Sequence, residues 1–241
     1  MTVSIPDTEP TESNEPAELT ERTERNKERI KGRKPARHAE AMPVLEQLAT
    51  WYPQLFGAQF LPLKRGIFQD LMQAHPELLD PTSLKAALAL HTRSTRYLVT
   101  VAEGRQRHDL SGQPVEPMAP EHVHQALLEV FRRRQSRSKE DLTPTLRRRM
   151  RQAFERSGLA PEAYAMLVRG RDDKANALLD EALQEARATE ARDEALLRAF
   201  ESGSRPVPAF ADMYGMVAAD VEQALARARR VRARPVVPSA A

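Results

Sequence analysis

The stretch DPTSLKAALALHTRSTRYLVTV, residues 80–101, carries the clearest folding signals in the chain. Asp80-Pro81 is a good helix start, because Asp caps free amides and Pro suits the first helical position. Leu84 and Leu88 follow on one face, which predicts an amphipathic helix. Tyr97–Val101 is rich in β-forming residues and predicts a strand.

The segments on either side of this stretch extend the prediction to a small domain. On the C-terminal side, Glu103-Gly104 predicts a turn and Arg105–Leu110 the returning strand, which ends at a turn at Ser111-Gly112. Apolar residues at helical spacing predict further helices around residues 44–51, 67–72 and 123–130. Residues 42–135 are therefore predicted to form a compact, mainly α domain with a small β-hairpin.

The remaining segments have different compositions. Residues 1–41 combine low hydrophobicity with scattered proline and predict a disordered arm, and residues 233–241 predict a disordered tail. Residues 136–145 are polar and predict a linker. Residues 146–232 predict a helical C-terminal extension built on a repeat with an offset of 46, in which the Ala-Phe-Glu of 153–155 recurs at 199–201.

Charge is arranged in blocks although the formal net charge is only +3. Seven acids and one base in residues 1–24 are followed by seven bases and one acid in residues 25–38. A second basic block covers residues 132–156, and a third covers residues 227–234. Such blocks are typical of segments that meet a polyanion, although a solvated surface is an equal alternative and the acidic segment could mask the basic arm.

Composition excludes several classes of protein. The 241 residues include no cysteine, so a disulfide scaffold, a thiol nucleophile and an iron–sulfur cluster are excluded. No run approaches the roughly 20 apolar residues that span a bilayer, and no export signal is evident, so we expect a cytoplasmic protein. The sequence contains neither a phosphate-binding glycine loop nor a nucleophile motif, and its histidines lack the spacing of metal ligands. We therefore expect no enzyme, no metal and no cofactor.

Basic residues inside the predicted domain are the best candidates for a binding site. Residues 91–94 can start a new helical turn whose hydroxyls and free amides, with arginines beside them, suit a phosphate group. Tyr97 could stack on a base, although a buried core tyrosine is an equal alternative. Residues 43–131 hold seven bases and nine acids, so a nucleic-acid site must be a local patch.

Four stretches in the same order and spacing resemble the RNA-binding domain of the ProQ/FinO family of bacterial RNA chaperones. They are LPLKRGIFQDL at 61–71, LKAAL at 84–88, HTRSTRYL at 91–98 and RHDLSGQPV at 107–115. With Trp51-Tyr52-Pro53 added, the resemblance covers about residues 43–131. It departs from the family pattern at Ala89 and Ala102, where family members often carry a base.

The resemblance implies a mainly helical domain that binds the base of a terminator-like hairpin and its single-stranded 3′ tail. It implies phosphate contacts from Lys64, Lys85 and Arg107. It also implies that Thr92 and Ser94 present a helix start to the RNA 3′ end, and that Tyr97 packs on the last nucleotide. The full set of predicted RNA-binding residues is Lys64, Arg65, Lys85, Thr92, Arg93, Ser94, Arg96, Tyr97, Arg105 and Arg107.

The sequence therefore predicts an RNA chaperone that stabilises structured small RNAs and mRNA 3′ ends and promotes duplexing or strand exchange in post-transcriptional regulation. A DNA-binding regulator is the alternative, because residues 210–225 loosely resemble a helix-turn-helix. The motif is weak, since Asp220 and Glu222 lie on its second helix. For residues 146–232, a protein-interaction or self-association module is the better interpretation.

Overall fold

Eleven helices and two short strands make up the part of the chain that this computed structural model describes, residues 41–203 and 205–234. In chain order they are α1 (41–51), α2 (Pro53–Phe56), α3 (Ile67–Ala74), α4 (Pro81–Arg93), α5 (Thr95–Ala102), β1 (Arg107–His108), β2 (Pro114–Glu116), α6 (Pro120–Gln135), α7 (Thr143–Ser157), α8 (Pro161–Val168), α9 (Asp173–Glu201), α10 (Val207–Tyr214) and α11 (Ala218–Arg232). The expected mainly α fold with a small hairpin and a helical C-terminal part is confirmed. The predicted arm lies outside the described residues except for Ala41.

Side-chain caps begin α4 and α5. The Asp80 carboxylate accepts a hydrogen bond from the Ser83 amide at 2.8 Å, with Pro81 in the first turn, as predicted. Ser94 ends α4 and at once caps α5, because its hydroxyl accepts a hydrogen bond from the Tyr97 amide at 3.2 Å. The two helices therefore meet at one residue with an extended backbone.

The predicted strand over Tyr97–Val101 is wrong, because these residues lie in α5. Tyr97 and Val101 are four residues apart and both buried, which is the spacing of one helix face. The Ser94 cap and this burial outweigh the β propensity of single residues, which depends strongly on context.

The hairpin is formed by later residues than expected. β1 pairs with β2 in antiparallel fashion, with Arg107 opposite Glu116, so Arg105 precedes the strand and does not share it with Arg107. The Asp109 carboxylate holds the turn by accepting hydrogen bonds from Ser111 and from the Gln113 amide. Gly112 has a φ of 75°, and a Cβ there would lie 2.2 Å from the Gln54 amide oxygen, so the turn needs glycine.

The segment before α3 joins the hairpin as a third extended piece. The Lys64 amide donates to the His108 carbonyl at 2.8 Å, and the His108 amide donates to the Pro62 carbonyl at 2.7 Å. This parallel bridge brings Leu63 beside Arg107.

One hydrophobic cluster joins α1–α6 to the helices that follow. Leu48, Leu71 and Leu84 are fully buried in it, and so is Met150 of α7. Leu146 of α7 and Ala182 of α9 belong to the same cluster. The segment between α6 and α7 covers residues 136–142, and Pro144 lies in the first turn of α7 rather than in a linker. The division into residues 42–135 and 146–232 stays a prediction, with α7 packed on the α1–α6 core.

The repeat with an offset of 46 corresponds to two similar packing units that share α9. Phe154 of α7 meets Tyr164 of α8 edge-on with ring centroids 5.4 Å apart, and Phe200 meets Phe210 of α10 at 5.3 Å. Residues 175, 179 and 182 of α9 are buried, as are the equivalent residues 221, 225 and 228 of α11. Each unit therefore buries the same helix face against the same aromatic pair.

The third basic block pairs mainly within the chain. Arg227 donates two hydrogen bonds to Asp193, Arg232 bridges Glu194 and Glu201, and Arg234 pairs with Glu190. Arg234 also lies over the Phe154 ring at 5.7 Å, although the sequence prediction places it in the tail. Residues 235–241 of that tail lie outside the described residues.

Candidate nucleic-acid interface

Three of the ten predicted RNA-binding residues line one cavity of about 740 Å³. They are Thr92 from the end of α4, Tyr97 from α5 and Arg107 from β1. Side chains of α6 and of the segment between α8 and α9 complete the cavity wall. Three residues from separate elements, to which the resemblance assigns RNA contacts, thus line one cavity, whereas Ser94 does not line it.

Arg107 is held in a fixed orientation at this cavity. Its Nη1 donates a hydrogen bond to the Leu63 carbonyl at 3.0 Å, and its Nε lies 3.8 Å from Glu116 Oε1. The side chain is 14% exposed, so most of its aliphatic part is covered by protein. Because a guanidinium has five N–H donors, this arrangement leaves donors for a phosphate.

Tyr97 is chiefly a core residue, although it also lines the cavity. Only 6% of it is exposed, and its hydroxyl accepts a hydrogen bond from the Leu63 amide at 3.0 Å. Burial raises the pKa of the Tyr97 phenol, against smaller opposing effects of the Leu63 hydrogen bond and the Arg107 charge. The phenol is therefore neutral at pH 7, and little of the ring surface is available to stack on a base.

The junction of α4 and α5 supplies polar groups beside Tyr97. The amides of Thr95 and Arg96, in the first turn of α5, find no hydrogen-bond acceptor among the described residues. The Ser94 hydroxyl accepts from the Tyr97 amide and keeps its own proton free to donate. The Thr92 hydroxyl instead donates to the Leu88 carbonyl at 2.8 Å. A helix start with free amides favours an anionic group.

Arg133 of α6 stabilises this junction, and sequence reasoning did not assign it that role. Its Nη1 donates to the Arg93 carbonyl and to the Thr95 hydroxyl, both at 2.9 Å, while its Nε pairs with Glu129. The contact joins residues about forty positions apart, so no local pattern could have revealed it.

Lys64 and Arg65 are paired with acids of the same domain. Lys64 Nζ lies 2.8 Å from Asp70 Oδ2, and this hydrogen bond raises the pKa of Lys64. The Arg65 Nε donates to Glu116 at 2.8 Å, which holds the pKa of that carboxyl below its usual range. Both pairs are partly or largely exposed, so they are weak and an RNA phosphate can exchange for the acid.

The remaining predicted residues do not line the cavity. Arg96 donates to the Ala58 carbonyl and lies over the Phe60 ring at 4.7 Å, and Arg105 pairs with Glu103 at 2.7 Å. Lys85 and Arg93 are exposed and pair with no acid in the part of the chain that the structure describes. Lys85 faces solvent on α4, as its spacing from Leu84 predicts.

Two histidines that the sequence analysis sets aside as metal ligands are buried near the cavity. His91 is packed among Phe56, Phe60 and Tyr97, with ring centroids 4.3–5.2 Å away. His124 of α6 lines the cavity and is 2% exposed. Burial lowers the pKa of each ring to about 4, so both are neutral at pH 7. Their neutrality excludes them as phosphate-binding cations at that pH.

A cluster of four arginines, Arg134, Arg148, Arg149 and Arg156, lies on α6 and α7 and is called the arginine cluster below. Burial lowers the pKa of Arg149, and the positive charges of the other three lower it further, whereas Glu103 opposes them. Arg156 donates to the Glu103 carbonyl at 3.0 Å. No carboxylate among the described residues forms a salt bridge with any of the four. The cluster therefore carries an excess of positive charge, which Glu103 offsets only in part.

Other types of site find no support in residues 41–203 and 205–234. Within that range no group of three or more His, Asp or Glu side chains is placed to hold a metal ion. None of its helices is at once long and apolar enough to cross a bilayer.

A family model described as the ProQ/FINO family matches residues 38–143, which include every residue of the cavity wall that α4, α5, β1 and α6 supply. The chain belongs to the ProQ/FINO family. The resemblance read from the sequence motifs is thereby confirmed.

The solved structures similar to this member of the family include a FinO-like RNA chaperone from Neisseria meningitidis MC58. That chain is 30% identical in sequence, and the match covers 37% of this chain and 92% of the other, with a TM-score of 0.34. The ProQ/FINO match ends at the first residue of α7, so it covers none of residues 146–232.

Proposed function

We propose that this ProQ/FinO family member is a cytoplasmic RNA chaperone. It binds terminator-like hairpins with single-stranded 3′ tails in small RNAs and mRNAs, stabilises them, and promotes duplexing or strand exchange in post-transcriptional regulation. Family membership supports RNA as the ligand. Binding of this kind needs no covalent chemistry and no cofactor.

The observation that carries the proposal is the cavity shared by Thr92, Tyr97 and Arg107. It lies beside the first turn of α5, whose free amides and Ser94 hydroxyl can donate hydrogen bonds to a terminal phosphate or ribose oxygen. Arg107 supplies a fixed positive charge next to them. A cavity of about 740 Å³ suits a single nucleotide at an RNA end better than a segment of duplex.

The arginine cluster adds affinity that does not depend on sequence. Phosphates attracted to Arg134, Arg148, Arg149 and Arg156 would release counterions, so binding should weaken with salt. The cluster compensates for the bases missing at Ala89 and Ala102. Lys85 would contact backbone phosphates from the exposed side of α4.

For residues 146–232 we keep the proposal of an interaction or self-association module. The turn between α10 and α11 exposes large apolar side chains, since Met213 and Tyr214 are each 52% exposed and Val217 is 64% exposed. DNA binding through α11 is less favoured, because Arg227 and Arg232 are engaged with acids of α9.

A gel shift at about 150 mM salt tests the function, because salt at that level screens exposed charges beyond a Debye length of about 8 Å. One terminator hairpin with a free 3′ oligouridine tail competes with the same hairpin whose 3′ end is blocked. We expect a strong preference for the free end. Equal, salt-sensitive binding of both RNAs would show that a basic surface binds phosphate without regard to the RNA end. This result would refute the 3′-end site.

A further inference from the structure

The segment between α8 and α9, residues 169–172, closes one side of the cavity that holds Tyr97 and Arg107. Leu167 and Val168 at the end of α8 belong to the same wall. These residues lie outside the stretch that matches the ProQ/FINO family. The candidate site of this chain therefore has a wall that the family match does not include.

This segment is held in place by hydrogen bonds on both sides. Asn176 donates to the Gly170 carbonyl at 2.9 Å and accepts from the Gly170 amide at 3.2 Å. Asp172 caps α9 by accepting from the amides of Lys174 and Ala175. Residues 169–172 are therefore held in place by contacts within the protein and need no ligand to order them.

A salt bridge fastens the same segment to the domain that matches the family. Arg132 of α6 donates to Asp172 Oδ2 at 3.2 Å. Arg132 also lines the cavity. The Ala175 amide, and then the Arg132 guanidinium, lower the pKa of Asp172, so the carboxylate is ionised and its charge is partly offset by Arg132.

The α6 side of the cavity carries two carboxylates, Glu129, which pairs with Arg132 and Arg133, and Glu121, which lies beside His122. The charges of the wall formed by residues 169–172 favour an anionic ligand. Arg169 is engaged by Asp180, with which it forms two hydrogen bonds. Arg171 lines the cavity, is exposed, and forms no salt bridge with any described residue. Arg107 supplies a guanidinium to the same cavity from the domain side.

The shape and the remaining lining suit a nucleotide. Leu98, Val101, Met118 and Leu167 give the cavity an apolar surface on which a base or ribose can pack. Its volume of about 740 Å³ lies within the roughly 300–1,000 Å³ of small-molecule sites. A terminal nucleotide can therefore pack on apolar side chains between the guanidinium groups of Arg107 and Arg171.

We propose that residues 169–172 form a specificity wall of the RNA site, and that Arg171 binds a backbone phosphate of the single-stranded 3′ tail. This inference rests on the proposed function, since it names the part of the RNA that the C-terminal extension contacts. It gives the extension a role in recognition of the RNA end, in addition to any interaction with protein.

The test compares Arg171→Gln with Arg192→Gln in the full chain. Arg192 is an exposed arginine of α9 that pairs with no described acid and does not line the cavity, so it controls for the loss of one positive charge. The probes are the terminator hairpin with a free 3′ oligouridine tail and the same hairpin with a blocked 3′ end. Salt dependence is measured for each protein and RNA.

We expect Arg171→Gln to weaken binding of the free-ended RNA about fivefold and to lower its salt slope by about one, as for a lost phosphate contact. Binding of the blocked RNA should change much less, and Arg192→Gln should match the wild type. Unchanged binding in Arg171→Gln, or an equal loss in both variants, would overturn the inference. Tighter binding would also overturn it, by showing that the wall obstructs RNA.

These outcomes are separable from failure of the proposed function. If the wild-type protein shows no preference for the free end, the 3′-end site and its wall are both wrong. If the wild type shows that preference and Arg171→Gln keeps it in full, only the wall is wrong. Both variants replace exposed side chains, and a circular dichroism melt verifies that each is folded.

Discussion

Arg107 combines a structural contact with the charge that the proposed site needs. Replacing it with alanine removes a charged hydrogen-bond donor from the cavity, so we expect hairpin-RNA binding to weaken by about 1–3 kcal/mol. The measurement is a binding titration with the free-ended hairpin. Because Arg107 also donates to the Leu63 carbonyl, Arg107→Lys serves as the companion variant that keeps the charge. Full affinity in a folded Arg107→Ala protein would remove this residue from the site.

The buried histidines make stability depend on pH. The pKa of His91 and of His124 falls from an ordinary 6.5 to about 4 in the folded state because of burial. Below pH 6.5 the unfolded chain therefore binds protons that the folded chain does not, so stability falls with falling pH until about pH 4. At pH 5 each ring should cost about 2 kcal/mol of the free energy of unfolding relative to pH 7.

Urea denaturation at pH 7 and pH 5 checks this dependence. His91→Phe keeps an aromatic ring among Phe56, Phe60 and Tyr97 and removes the titrating group, so about half of the pH-dependent loss should disappear. The comparison uses the difference between the two pH values, so any constant effect of the substitution cancels. An unaltered difference would show that His91 is not the titrating residue.

At the scale of elements, the Ser94 cap links the stability of α5 to the proposed ligand site. Ser94→Ala removes the cap and should lower the free energy of unfolding by about 1 kcal/mol. Ser94→Asp keeps a capping oxygen and places a negative charge where a phosphate is expected. We therefore expect Ser94→Asp to keep the stability of the wild type and lose RNA affinity. A variant that binds RNA as the wild type does would place the RNA elsewhere.

The two aromatic pairs of the repeat differ by a single hydroxyl. Tyr164 is fully buried, its hydroxyl has no hydrogen-bond partner among the described residues, and burial raises its pKa to about 12. The equivalent residue in the second unit is Phe210. Tyr164→Phe should thus leave the free energy of unfolding unchanged or raise it by up to about 1 kcal/mol, because an unsatisfied buried hydroxyl is costly.

The reciprocal substitution is the control for this prediction. Phe210→Tyr places a hydroxyl in the equivalent buried position and should cost about 1–3 kcal/mol. Thermal melts of both variants decide the outcome. A large destabilisation by Tyr164→Phe would contradict the assignment of an unsatisfied hydroxyl.

At the scale of the whole molecule, the C-terminal extension and the family domain share a core. Met150 is fully buried in the cluster that contains Leu48 and Leu84, so Met150→Ala should lower the free energy of unfolding by about 2–5 kcal/mol. Hydrogen exchange should show the loss in α1–α6 as well as in α7. Confinement of the loss to α7–α11 would indicate two independently stable units.

A chain that ends near Arg134 extends this prediction. It lacks Leu146, Met150 and Ala182, so we expect a lower melting temperature than that of the full chain. It also lacks the Arg171 wall and three residues of the arginine cluster, so we expect weaker RNA binding with a flatter salt dependence. Unchanged stability and affinity would restrict the extension to interactions with proteins.

Local sequence is sufficient to predict a structural feature when that feature depends on one residue and its near neighbours. Asp80 is assigned as a helix start because a short polar side chain reaches amides two or three positions ahead. The repeat and the motifs of the ProQ/FinO family can likewise be recognised in the sequence, because side-chain type and spacing define them. Local propensity failed at Tyr97–Val101, where burial of one face and the preceding cap override the preference for a strand.

The sequence by itself determined the family, the helical character and the set of basic residues in and around the candidate site. Tertiary structure alone decided which of those residues meet in one cavity, that Tyr97 is largely buried, and that Arg133 stabilises the α4–α5 junction. It also brought residues 169–172 to the far side of the same cavity. The physical reason is distance along the chain. Capping and helix periodicity act over about four residues, whereas the packing of α6 against α5 and α8 joins residues that are far apart in the sequence.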